Sequence, residues 1–409
     1  MNQEILDILN SIFDSVTEEY AKNHHLIFSN ESERRRKQYG SIQGKLKSWK
    51  KKKRCIYRGC VNKSIQRSHS IQKSGPLKEI AENSVVLTPQ FNHELGEVQL
   101  AENGLSEASV FPGYCETHEK LFHSFETTKD IESPDALSLQ IYRSICREVV
   151  SLKHELAYLK KTCSDYQSFR DSKLIETINN KLGRDWCDRN KVSFQSLKMS
   201  NDPILTPGLS KIDDLEKTLV ELEDEFLGEL EQDMDGSSGI DLRPIAISID
   251  EQIPVALSGF GSFYVKDKDE SKRIFIVIGV FPNVKGTTLV LYSKSKNTAY
   301  VDAYFKQLNN SFDIINMIEQ WMIRGTDHWF LKPSVWDAKS DEEKSQILSE
   351  MLDFSKGLLH KLNFSIFNEL RIKMIKEWES SGTTDKQQLA LLCREKTKLT
   401  CLAGGKSVK

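Results

Sequence analysis

The sequence predicts an α+β protein in which helical and strand-forming stretches are largely separate. Three observations predict it. Apolar residues recur three or four apart over residues 137–159 and again over 215–230, as helices require. β-Branched and aromatic residues crowd into short runs after residue 244, separated by turn formers, as strands require. Ahead of both lies the third: two close pairs of metal-ligating side chains, Cys55 with Cys60 and Cys115 with His118, bracket a stretch rich in Ser, Asn and Lys. At 409 residues the chain exceeds one ordinary domain, so two or three folded units are expected. With 38% hydrophobic and 28% charged residues it is globular in composition, neither membrane-like nor disordered.

In chain order, Ile5, Ile8, Leu9, Ile12, Phe13 and Val16 carry helical spacing, predicting an amphipathic helix within residues 2–30 that packs on a core. Residues 34–54 then hold eleven Lys or Arg and no acid, ending in Lys50-Lys51-Lys52-Lys53-Arg54. These two features make up a first segment, 1–50, and the ligand pairs a second, 51–132. From Ser133 onward, Leu137, Ile141, Ile145, Val149, Leu152, Leu156 and Leu159 form one stripe over about six turns. An αα-hairpin or coiled-coil-like arm over 133–235 follows from that stripe. Leu215, Leu219, Leu222, Phe226 and Leu230 repeat it within an acidic helix, where residues 213–235 hold eleven acids against one lysine. Asp235-Gly-Ser-Ser-Gly239 reads as a linker.

Beyond it, strands are expected over 245–249, 261–265, 273–281 and 287–293. Pro282-Asn-Val-Lys-Gly286 is a hairpin-sized connection that makes the last two antiparallel neighbours. Helical spacing returns over 312–323 and 344–354. Residues 240–403 therefore read as an α+β domain on a small antiparallel sheet, with the end frayed from Gly404.

Several classes are excluded. The longest apolar run, Ile274 to Phe281, is strand-sized and far short of a membrane span. The N-terminus lacks the basic start and apolar stretch of a secretory signal. Among the eight cysteines, Cys146, Cys163, Cys187 and Cys393 stand singly, which is no disulfide framework. A reducing cytoplasm is the expected location. The net charge of −2 conceals the basic block and the acidic helix.

The ligand pairs carry the most chemistry. Cys-Ile-Tyr-Arg-Gly-Cys (55–60) and Tyr-Cys-Glu-Thr-His (114–118) supply the closed N/S set that structural Zn²⁺ prefers. Gly59 and Gly113 stand where knuckle turns need them. Zinc–thiolate bonds would provide folding energy that so polar a segment cannot draw from burial. A set with His69 in place of His118 is the alternative.

With the four outer ligands on zinc, Arg67-Ser68-His69-Ser70-Ile71 leaves His69 free. Here the chain resembles zinc-bearing members of the HNH endonuclease superfamily, which carry a treble-clef zinc module. Those proteins place a cysteine pair before a β-hairpin, a catalytic histidine at the end of its first strand, and a second ligand pair leading into a helix. The resemblance covers about residues 50–130. It implies His69 as general base and Asn83 as the asparagine that follows it. It also implies a Mg²⁺ or Mn²⁺ ion on the helix after the second pair, where Glu119 and His123 stand four apart and Glu126 follows. The chain departs from the pattern in having Ser-His for Asp-His and Cys-x2-His for Cys-x2-Cys. Ser-His-Ser-Ile-Gln-Lys-Ser with Gly-Tyr-Cys-x2-His-x3-Phe also resembles uncharacterised bacterial proteins, some associated with phage defence.

The basic block points to nucleic acid. Lys50, Lys51, Lys52, Lys53 and Arg54 could neutralise phosphates with release of counterions, while Tyr39, Trp49 and Tyr57 could stack on bases. The alternative pairs this block with the acidic helix. The remaining chemistry is thin: His328 reads as a packing or loop histidine, and Trp321, Trp329 and Trp336 as core. Two functions follow. One is a metal-dependent HNH-like nuclease; the other is a non-enzymatic zinc module that binds nucleic acid or protein and oligomerises through its long helices.

Overall fold

The computed structural model describes residues 3–22, 48–92, 97–128, 131, 133–190, 202, 205–234, 244–267, 270–353, 355–380 and 386–403. Tyr39, the basic residues 34–47, the linker 235–239 and the segment from Gly404 lie outside the described residues. The chain forms two compact units, Met1–Lys51 with Val149–Leu222, and Lys52–Glu148 with Glu223–Lys409.

The first unit is helical. Helix Gln3–Lys22 turns Ile8, Leu9, Ile12, Phe13 and Val16 onto Leu174, Ile178 and Cys187, so the predicted amphipathic helix packs on a core. A 49-residue helix, Pro134–Leu182, which belongs to this unit from Val149 onward and to the second unit before it, ends at Gly183, whose φ of 108° suits a glycine after a helix C-terminus. Its later part pairs with helix Leu205–Val220 as an antiparallel αα-hairpin: Lys160 meets Glu216, and Arg170 meets Asp202 at 3.1 Å. Asp202 also accepts from the Leu205 N–H at 2.8 Å, so one buried carboxylate starts the return helix and neutralises a buried guanidinium.

Among the described residues, the second unit holds all the strands. A two-stranded ribbon pairs β1 (Ser68–His69) with β4 (Val110–Phe111). A seven-stranded antiparallel sheet contains β2 (Val85–Asn92), β3 (Glu97–Gly104), β5 (Ile245–Ile249), β6 (Val255–Asp267), β7 (Glu270–Asn283), β8 (Gly286–Tyr292) and β9 (Trp329–Leu331). Its order is β3-β2-β9-β6-β7-β8-β5. The expected strands map onto β5 to β8, the last ending at Tyr292 rather than at Ser293, and β7 and β8 are the expected hairpin. In that turn Gly286 has φ 153°, and a Cβ there would meet Ile249 O at 2.0 Å. The run from Ile274 to Phe281 is buried throughout because both faces of β7 are covered. Helix Ser311–Gln320 lays Phe312, Ile315 and Ile318 on the sheet core, and Asn310 caps it by accepting from the Phe312 and Asp313 N–H groups.

The sheet corrects two expectations. It is larger than the small C-terminal sheet foreseen, and its β2–β3 edge comes from the middle of the 51–132 segment. That segment therefore does not close on itself. A lone two-stranded hairpin is marginal in water; Leu87 instead pairs with Leu331 of β9 and joins the large core. Among the described residues, no helix is long and apolar enough to cross a membrane.

Candidate metal centre and the adjoining histidine site

The first ligand pair lies on a turn closed by the Cys60 N–H donating to Tyr57 O at 3.0 Å, with Gly59 at φ 75°. The second pair begins the helix Glu116–Glu119, with Cys115 immediately before it and His118 in its first turn. Two bonds hold the pairs together: Ile56 N–H to Gly113 O at 3.0 Å, and Cys115 N–H to Cys55 Sγ at 3.3 Å. Gly113 is required by close approach, since a Cβ would meet the Phe111 ring at 2.3 Å.

Cys55, Cys60, Cys115 and His118 thereby bring one ligand atom each within 4.8 Å of one another. Cys60 and Cys115 sulfurs are 3.9 Å apart, and His118 Nδ1 is 3.5 Å from Cys55 Sγ and 3.4 Å from Cys115 Sγ. A tetrahedral zinc with Zn–S of about 2.3 Å and Zn–N of about 2.0 Å spaces its ligands at ~3.8 Å (S to S) and ~3.6 Å (S to N). The observed edges fit that tetrahedron, and 3.9 Å is far too long for a disulfide. The donor set is thus suited to Zn²⁺. Burial opposes ionisation of Cys115, but the backbone N–H groups of His118 and Thr117 favour the thiolate and bring its pKa down to about 6. The Tyr57 ring lies on the His118 imidazole, centroids 4.0 Å apart and planes 11° from parallel. Tyr57 is therefore packed against a ligand rather than presented for base stacking, and Trp49 meets the His154 ring edge-on at 5.3 Å.

His69 stays outside this group, which answers the alternative ligand set. It ends β1, and its Nδ1 lies 2.9 Å from Ala108 O. A carbonyl only accepts, so Nδ1 carries the hydrogen, and the neutral ring keeps its lone pair on Nε2. Burial lowers the pKa below its ordinary 6.5, with Ala108 opposing and Arg143 adding to the fall.

Glu119 is half-buried beside this strand. Its Oε2 accepts from Ser68 Oγ at 2.7 Å, and its Oε1 lies 3.6 Å from Arg143 Nη2. Burial raises its pKa, while Arg143 and Ser68 oppose the rise. Arg143 is fully buried, meets Glu126 at 2.7 Å and lies over the Phe122 ring at 4.0 Å. His123 is exposed. Among the described residues, Glu119, His123 and His69 do not gather into a second metal-sized group. Asn83 has another role: with Ser84 it occupies the exposed two-residue turn between Glu82 and Val85, at φ 50° and 64°. Asparagine tolerates that left-handed backbone.

Lys50, Lys51, Lys52 and Arg54 are exposed and Lys53 is half-buried; Arg54 Nε donates to Cys60 O at 2.9 Å. In the acidic helix Glu225 binds Lys294 and Lys296, and Glu216 binds Lys160; the basic residues 34–47 lie outside the described residues. Arg143 and Ser68 were missed as site residues. Arg143 lies on the opposite side of the long helix from the apolar stripe, where the spacing predicts solvent, so its burial left no signal in the sequence. Searches of family models, of curated proteins and of solved structures find no match for the chain.

Proposed function

We propose that this chain is a zinc-stabilised, nucleic-acid-associated protein related to the HNH-like endonucleases. In this reading Cys55, Cys60, Cys115 and His118 hold a structural Zn²⁺ in a treble-clef arrangement. A knuckle turn, the β1–β4 ribbon and a helix opening at the second ligand pair, in that chain order, support it. Exposed Lys50, Lys51, Lys52 and Arg54 supply sequence-independent affinity for phosphates. The role is in antiphage defence in the bacterial cytoplasm, as the resemblance implies.

His69 is the general base. The observation that carries this is the Nδ1–H bond to Ala108 O, which fixes the tautomer and leaves Nε2 as the proton acceptor. Nε2 takes a proton from water as the water oxygen attacks phosphorus, and the departing sugar oxygen takes up a proton. Glu119 and His123 do not fit a site for Mg²⁺ or Mn²⁺ by themselves. Both Glu119 oxygens are engaged, and the buried Arg143 guanidinium already stands as the cation between Glu119 and Glu126. No step is therefore assigned to such an ion.

The test is nicking of plasmid DNA, and cleavage of RNA, by zinc-loaded protein with Mg²⁺ or Mn²⁺ added or withheld. Cleavage abolished by His69→Ala at unchanged zinc content is expected. Arg143 between the two carboxylates favours a second reading: a zinc-stabilised module that binds nucleic acid or protein and oligomerises through its long helices, without hydrolysis. No cleavage of any substrate, together with salt-sensitive DNA binding lost on neutralising Lys50–Arg54, would establish that reading instead.

A further inference from the structure

The first ligand pair is carried by a short antiparallel ribbon, residues 52–64, in which Arg54 and Lys63 stand directly opposite each other. The bonds on either side of them run from Cys55 N–H to Asn62 O at 2.8 Å and from Ser64 N–H to Lys53 O at 2.7 Å. Arg54 and Lys63 are therefore a non-hydrogen-bonded pair, the closer of the two antiparallel spacings. Cys55 and Ser64 are buried on the inner face, while Arg54 and Lys63 are exposed on the outer one. Lys52 and Val61 stand two residues from them, the spacing that shares a face in a strand, and both are exposed.

Like charges directly opposite on a ribbon repel. Among the described residues no carboxylate pairs with Lys52, Arg54 or Lys63, and Arg54 Nε donates to the Cys60 carbonyl. Arg67, by contrast, is matched by Glu107 at 2.7 Å, and Arg58 lies 3.9 Å from Glu231. The outer face thus keeps a repulsion that a bound polyanion would relieve.

The neighbouring side chains narrow the class. Val61, 78% exposed, sets an apolar group among the cations, which suits a groove with phosphate walls and base methyl groups on its floor. Single strands are held by stacking on aromatic rings. Tyr57 is the one aromatic residue of the ribbon, and its ring is stacked on His118. The major groove of B-form DNA admits a two-stranded ribbon, whereas that of an A-form RNA duplex is too deep and narrow.

We propose that the outer face of this ribbon docks in the major groove of duplex DNA, with Lys52, Arg54 and Lys63 on the phosphates and Val61 toward the base edges. This docking rests on the nucleic-acid-associated reading of the chain, to which it adds a surface outside the Lys50–Arg54 run and a preference for duplex.

The experiment is fluorescence anisotropy of the full, zinc-loaded chain with a labelled DNA duplex, its single strand and an RNA duplex of matching sequence. It is run over a series of salt concentrations without added Mg²⁺ or Mn²⁺. The DNA duplex is expected to bind about tenfold or more tightly than the other two. Lys63→Gln, at an exposed position, should weaken duplex binding about threefold or more and lower the salt-dependence slope by about one, with melting temperature and zinc content unchanged. Val61→Ser should weaken binding about threefold and leave the slope unchanged. Arg67→Gln, whose charge Glu107 already takes up, should change neither. Duplex binding undiminished in Lys63→Gln and Val61→Ser, yet lost on neutralising Lys50–Arg54, overturns the ribbon and leaves the broader reading standing. Single strand or RNA duplex bound as tightly as the DNA duplex also overturns it. Absence of binding to all three overturns both.

Discussion

Ser70 Oγ and His328 Nε2 are joined by a hydrogen bond of 2.7 Å that spans 258 positions of sequence. Ser70 follows the strand that ends in His69, and His328 precedes β9 of the large sheet. Gln140 of the long helix donates to Ser70 O at 2.9 Å and to Ser144 Oγ at 3.2 Å, and Ser258 of β6 donates to Ser144 Oγ at 2.8 Å. A buried polar chain thus ties the ribbon beside the metal centre to the helix and the sheet.

Breaking that chain at its centre is expected to destabilise the whole unit. Ser70→Ala leaves buried His328 without this partner and should lower stability by about 1–3 kcal/mol. Denaturant unfolding should show a single transition moved to lower denaturant, with zinc content retained.

The pH dependence follows from the buried histidines. Burial lowers the pKa of His69, and lowers that of His328 well below 6.5. Below pH 6.5 the unfolded chain therefore binds protons that the folded chain excludes. The stability this gives is full above pH 6.5 and is lost as pH falls below it, with a slope of up to about 1.4 kcal/mol per pH unit for His328. Unfolding measured between pH 7.5 and 5.5 should show this loss, and His328→Gln should remove its share of the slope. An unchanged slope in the variant would contradict the assignment.

Arg371 tests the buried charge network. It is 1% exposed, meets Glu319 and Glu395, each 2% exposed, and donates from Nε to Ser365 Oγ at 2.8 Å. Arg371→Leu leaves buried Glu319 without its cation, and Glu395 with Arg394 alone at 3.2 Å, and should cost about 3–5 kcal/mol. Thermal unfolding reads this directly. Replacing Arg394, which is 58% exposed, should change stability by less than about 1 kcal/mol.

The contrast between legible and hidden features has physical causes. The Cys55, Cys60, Cys115 and His118 group could be read because thiolate and imidazole at knuckle spacing are chemically distinctive, and the helices because a burial stripe repeats locally. The union of β2–β3 with β9 was not legible, since strand pairing across some 240 residues leaves no local mark; Leu87 meets Leu331 only in the fold. Asn83 matched a motif by distance along the chain, whereas its backbone serves a tight turn. Glu119 was found as a residue, but its engagement by Ser68 and Arg143 depends on tertiary contacts that spacing along one helix does not encode.

The centre of the account is the Cys55, Cys60, Cys115 and His118 zinc site, and X-ray absorption on the purified full chain tests it most directly. One zinc per chain with three sulfurs at about 2.3 Å and one nitrogen at about 2.0 Å is the predicted result, with zinc lost in Cys115→Ser. Zinc coordinated only by nitrogen and oxygen, or protein folded normally with no bound metal, would contradict it.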